Sequence, residues 1–117
     1  MHIKTVQETS VKRAIRWHGS LAEWSTLEWC GAMAGEAGEA ANVAKKLRRH
    51  DQEIYNGHQT DFNVLNREAL REKLRQELAD VFLYLVLCAA REEIDLESAI
   101  VEYFNKKSEE AGFPERL

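Results

Sequence analysis

From Val81 to Ala90 every residue is apolar or tyrosine. This run lies inside a longer segment, Asn66 to Glu93, that contains no proline or glycine. Leu70, Leu74, Leu78, Val81, Leu85 and Cys88 recur there at three- and four-residue intervals, which predicts a helix. A helix that is apolar all round must be covered all round. The run is far shorter than the roughly 20 residues that cross a bilayer, so the cover has to be protein and no membrane is expected. A chain of 117 residues matches a single domain of about 100–150 residues and holds few helices for that task. The simplest solution is an all-α fold, an antiparallel helical bundle completed by oligomerisation as a homodimer or homotetramer.

A second long helix is predicted from about Leu21 to Arg49, rich in Ala, Leu, Glu and Lys, with Arg48, Arg49 and His50 in its last turn to complement the helix dipole. A shorter helix is expected over Val6 to Trp17, ending near Gly19. A last one starts at Asp95 or Leu96 and runs to about Glu110, before Gly112 and Pro114. Asp51 to Asn66, with Asn56-Gly57-His58 at its middle, reads as a polar loop with room for a short helical turn. No strand pattern, internal repeat or low-complexity tract appears, and one domain over residues 1–117 is expected.

The formal charge of -4 and a pI near 5.6 give no general attraction for a nucleic-acid polymer or an anionic membrane. Met1-His2-Ile3-Lys4-Thr5 begins no signal-peptide pattern, and a cytoplasmic location is expected. Cys30 and Cys88 belong to no metal-binding or redox motif and read as two small buried hydrophobes.

The chemistry rests on two pairs of acids. Glu36 and Glu39 stand three residues apart on one predicted helix, and Glu77 and Asp80 repeat that spacing on the other. Each pair shares a helix face. If the helices pack antiparallel, both pairs converge on one small volume. Oxygen donors without matching histidine or cysteine suit a hard ion, Mg²⁺ or Mn²⁺, rather than zinc. A di-iron bundle would need Glu-x-x-His pairs, and this sequence has none.

Paired acids are common on solvated helix faces, but the neighbours here are not those of a solvated face. Ala32, Met33, Ala34, Ala37, Ala40 and Ala41 surround the first pair, and the second borders the most apolar stretch of the chain. An unpaired carboxylate costs several kcal/mol in such a setting, so a positive charge is expected among them. Gly31, Gly35 and Gly38 cost about 1 kcal/mol each relative to alanine inside a helix. They fit a place where a backbone, a metal or a phosphate comes close. Lys46, two turns beyond Glu39, shares its face and is a candidate phosphate contact; the alternative is a cation at a helix end.

Gly35-Glu36-Ala37-Gly38-Glu39-Ala40-Ala41, followed by Gln76-Glu77-Leu78-Ala79-Asp80-Val81-Phe82-Leu83-Tyr84-Leu85, resembles the MazG-like all-α nucleoside triphosphate pyrophosphohydrolases. That superfamily includes dimeric dUTPases, dCTP pyrophosphatases and phosphoribosyl-ATP pyrophosphatase. The likeness continues through Asp95 to Ile100 and Phe104 to Ser108. It implies a four-helix assembly of two or four chains in which Glu36, Glu39, Glu77 and Asp80 hold Mg²⁺. It also implies cleavage of a nucleoside triphosphate between the α- and β-phosphates, with Glu36 or Glu39 acting on the attacking water. Asn105 and Lys106 resemble the family's C-terminal substrate contacts, although many members carry a further basic residue where this chain has Tyr103 or Ser108. Trp17, His18, Trp24 and Trp29 form an aromatic region from which related enzymes stack a side chain on the base; a core role is the alternative for each tryptophan.

The sequence thus reads as a Mg²⁺-dependent (d)NTP pyrophosphohydrolase serving nucleotide-pool housekeeping. Two other readings stay open: a phosphoribosyl-ATP pyrophosphatase-like enzyme, against which the tryptophan-rich segment speaks, and a non-catalytic helical interaction module.

Overall fold

The computed structural model describes the backbone of residues 2–55 and 61–117 and the side chains of residues 2–52 and 66–117. Helix α1 covers Ile3–His18, and a short 3-10 turn follows at Leu21–Glu23. Helix α2 covers Thr26–Tyr55, α3 covers Asp61–Arg91 and α4 covers Leu96–Ala111. No strand occurs among the described residues. The all-α class agrees with the sequence.

The element boundaries differ from expectation most in two places, and α1 also starts early, at Ile3 instead of Val6. Helix α2 starts at Thr26, not Leu21, because Ser25 intervenes as a cap: its hydroxyl accepts from Glu28 N at 3.1 Å. Ser25-Thr26-Leu27-Glu28 has the Ser-x-x-Glu form of a capping box. The long helices also reach into the expected loop, α2 to Tyr55 and α3 back to Asp61. Polar residues such as Asp51 and Gln52 do not break a helix without a glycine or proline beside them. Asn56-Gly57-His58 lies outside the described residues.

The chain forms two compact units, Met1–Trp29 with Leu85–Leu117, and Cys30–Tyr84. In the first, α1 packs against α4 and the 3-10 turn. The buried positions of α1 are Gln7, Ser10 and Ala14, three and four residues apart as one helix face requires. Gln7 Nε2 donates to Ile94 O at 2.8 Å and to Val86 O at 3.3 Å, while Gln7 Oε1 accepts from Leu96 N at 3.2 Å. One buried amide thereby pairs backbone groups at the end of α3 and the start of α4. Arg91 Nε donates to Trp24 O at 3.0 Å, and Thr26 Oγ1 donates to Glu92 Oε1.

The second unit holds most of α2 and α3. Near one end Glu36 and Glu39 meet Glu77, and further on Arg67 Nε donates to Asp51 Oδ1 at 2.8 Å. Later residues of α2 therefore face earlier residues of α3, and the two helices run antiparallel. Ala40, Val43 and His50 are buried along α2. His50 overturns its expected role as a dipole-capping cation in a last turn. It lies within the helix, 4% exposed, and neither ring nitrogen has a hydrogen-bond partner among the described residues.

Helices α3 and α4 end alike. After α3, Ile94 N bonds to Ala89 O and Glu93 N to Ala90 O; after α4, Phe113 N bonds to Ser108 O and Gly112 N to Glu109 O. Both are Schellman closures, whose penultimate residue takes a left-handed conformation. Gly112 does so at φ 75°, but after α3 the position falls to Glu93 at φ 57°. A Cβ there is strained by about 1 kcal/mol. Glu93→Gly should accordingly stabilise the protein by about 1 kcal/mol, read as a higher urea midpoint at unchanged slope.

Candidate metal centre

On α2, Glu36 and Glu39 are one turn apart, and Glu77 faces them from α3. Each offers one carboxylate oxygen, and the three oxygens lie within 4.8 Å of one another. Glu77 is the innermost, only 3% exposed; Glu36 is half-buried and Glu39 exposed. Glu77 Oε1 accepts from Lys73 Nζ at 2.8 Å. Its second oxygen, Oε2, is buried with no hydrogen-bond partner among the described residues. Asp80 is exposed one turn further along α3 and lies outside the closest set, although its charge acts on Glu36. The sequence-predicted convergence thus brings three acids together and leaves the fourth at the margin.

The electrostatics follow from this crowding. The pKa of Glu36 is raised to about 7, first by burial, then by the adjoining Glu77 carboxylate and by the charges of Glu39 and Asp80. Glu77 moves the other way, held below its ordinary value chiefly by the bond from Lys73. One ammonium therefore stabilises Glu77 but does not relieve Glu36. An orphaned buried carboxylate oxygen beside two further acids is the donor set of a hard divalent cation, and these residues fit such an ion.

Lys73 carries no mark in the sequence beyond its four-residue spacing from Glu77, a pattern repeated on many helix surfaces. The other candidates are placed as follows. Lys46 and Lys106 are exposed. Asn105 Oδ1 accepts from Leu117 N at 2.8 Å, and its Nδ2 donates to Leu117 O at 3.4 Å, so its amide is engaged with backbone. Trp17 is 79% exposed at the end of α1. His18 stands among three indoles, with ring centroids 6.3 Å from Trp17, 5.3 Å from Trp24 and 5.7 Å from Trp29. Trp29 is 1% exposed and donates from Nε1 to Leu21 O at 3.0 Å, which gives it a core role.

One sequence expectation narrows and another changes. A Cβ added at Gly31, Gly35 or Gly38 would meet nothing within 4 Å, so no protein group among the described residues needs the space these glycines leave. Cys30 and Cys88 are half-buried instead of buried, and neither is a free thiol.

A profile of the MazG nucleotide pyrophosphohydrolase domain matches residues 26–111, from the first residue of α2 to the last of α4. The chain belongs to this family. The match includes all four acids and leaves Trp17 and His18 outside it. Neither the curated proteins nor the solved structures yield a match. Among the described residues no helix is long and apolar enough to cross a membrane.

The raised pKa of Glu36 has a measurable consequence. The folded state takes up a proton below about pH 7, whereas the unfolded chain does so only near 4.5. Stability from this group is therefore fully present below 4.5 and lost as pH rises through 7. Glu77, shifted downward, opposes this only in the acid range below its ordinary pKa. Thermal melts in EDTA should rise by about 8 °C from pH 8 to pH 5.5, and Glu36→Gln should flatten that rise.

Proposed function

We propose that this protein hydrolyses a (d)NTP at the α–β phosphoanhydride, giving a (d)NMP and pyrophosphate, with Mg²⁺ or Mn²⁺ held by Glu36, Glu39, Glu77 and Asp80. The observation that carries the reading is the buried, unpartnered Oε2 of Glu77 beside Glu36 and Glu39 in a chain of the MazG family. When bound, the ion neutralises phosphate charge and raises the acidity of water. Glu77, fixed by its burial, supplies the inner donor. Glu36 and Glu39 approach from α2, and whichever carboxylate is less engaged orients the water and takes its proton. The water oxygen forms the new P–O bond as the bridging P–O bond breaks, and the bridging electrons leave on the departing phosphate group.

For substrate contacts, Trp17, His18, Lys46, Asn105 and Lys106 are the residues proposed, on the strength of the family resemblance, while the burial of Trp29 assigns it to the core. The role is housekeeping of the nucleotide pool in the cytoplasm. A homodimer or homotetramer is supported by the incomplete cover on α3, where Leu78 is 55% exposed and Val81 to Leu85 are only half-buried.

The test is pyrophosphate release from the eight common NTPs and dNTPs with Mg²⁺, Mn²⁺ or EDTA. The parent protein should release pyrophosphate and the matching monophosphate only with metal. Glu36→Gln and Glu77→Gln should each lower the rate at least about 100-fold while the helical circular dichroism is retained. Variants that keep the parent rate would overturn the assignment of these acids.

A further inference from the structure

A lysine four residues before a glutamate is ordinarily of little consequence on a helix surface. Exposed pairs contribute little, and lysine preceding glutamate is the less favourable order. The Lys73–Glu77 pair on α3 differs because its two ends lie in different environments. The lysine side chain is 58% exposed, whereas the glutamate side chain is 4% exposed. Its ammonium reaches inward to Glu77 Oε1 at 2.8 Å and lies close enough to Glu39 and Asp80 to feel their charge. Helical spacing explains that reach, since positions 73, 77 and 80 follow one face.

A cation bound by Glu36, Glu39 and Glu77 would meet this ammonium at the same carboxylate. With the ammonium on Oε1 and the ion on Oε2, the two positive charges repel each other across one carboxylate. Glu77 is fixed by burial, but Lys73 ends a flexible stem that is mostly in water, so the lysine is the group free to leave. We propose that Lys73 is a tethered counter-ion of the acid cluster, neutralising Glu77 in the metal-free chain, yielding to the divalent cation, and thereby setting the affinity for that ion. The inference rests on the reading of Glu36, Glu39 and Glu77 as metal ligands. It adds a positioning residue that the four acids do not include.

The experiment is calorimetric titration of the full chain with Mn²⁺ alone, without nucleotide, alongside thermal melts in EDTA and at saturating Mn²⁺. Removing the competing positive charge beside the site should let Lys73→Met bind Mn²⁺ about tenfold more tightly than the parent. Lys73→Met should also melt lower in EDTA, where Glu77 has lost its partner, and match the parent when saturated. Lys73→Arg, which keeps the charge, should return the affinity towards the parent value. If the parent binds Mn²⁺ and Lys73→Met binds it equally or less well, the counter-ion role is overturned and the ligand reading stands. If the parent takes up no Mn²⁺, the ligand reading falls and this inference with it.

Discussion

Mutual repulsion among carboxylates governs the second unit of this protein. Glu36, Glu39 and Glu77 gather their oxygens within 4.8 Å on two antiparallel helices, and burial denies Glu77 the water that would screen it. Burial of Ala40 and Val43 along α2 supplies an apolar contribution that opposes that repulsion. The same packing fixes the acids in the geometry they present to a cation. Two opposite pKa shifts are the signature of this arrangement: Glu77 is kept charged by Lys73, and Glu36 is driven towards its neutral form. Neither acid could be so displaced on an open helix face, where water would accept both charges.

The first unit is held by different means. Its central element is a neutral amide, Gln7, that bonds to Val86, Ile94 and Leu96. An apolar side chain at this position would fill the volume but leave Ile94 O and Leu96 N without this partner, at a cost of about 1–3 kcal/mol for each buried group. Polar satisfaction thus fixes where α3 ends and α4 begins. The tryptophan-rich segment follows α1, and Trp29 anchors it through the carbonyl of Leu21.

Much of this was legible in the residues. The helices follow from apolar spacing and from the scarcity of glycine and proline, and the acid pairs follow from a repeated three-residue interval beside an apolar run. What escaped has physical reasons. Asp51 and Gln52 look like loop because they are polar, yet polarity alone does not end a helix. Ser25 moves the start of α2 through one hydroxyl, a signal present as Ser-x-x-Glu but outweighed by the helix-forming residues before it. Lys73 looks like any surface cation until the burial of its partner is known. His50 looks like a helix-terminal cation because its burial depends on packing that no local pattern shows. Asp80 matches Glu77 in spacing but not in depth, since two residues on one helix face can differ widely in how far a neighbour covers them.

The Gln7 amide bears on the order in which the chain can organise itself. Its partners lie 79 to 89 residues away in sequence. Residues 30–84, by contrast, form a continuous segment whose helices need only a short connection to meet. On a ribosome the acid-bearing hairpin has all its own residues once position 84 has emerged, whereas α1 must wait until position 96 is available. Closing that long interval carries a loop-entropy cost that the hairpin never meets. The polar face of α1, with Gln7 and Ser10 at its buried positions, suits such a wait. Before its partners arrive it presents groups that water can solvate, and a nascent chain with this helix offers less adhesive surface than one with an apolar face in its place.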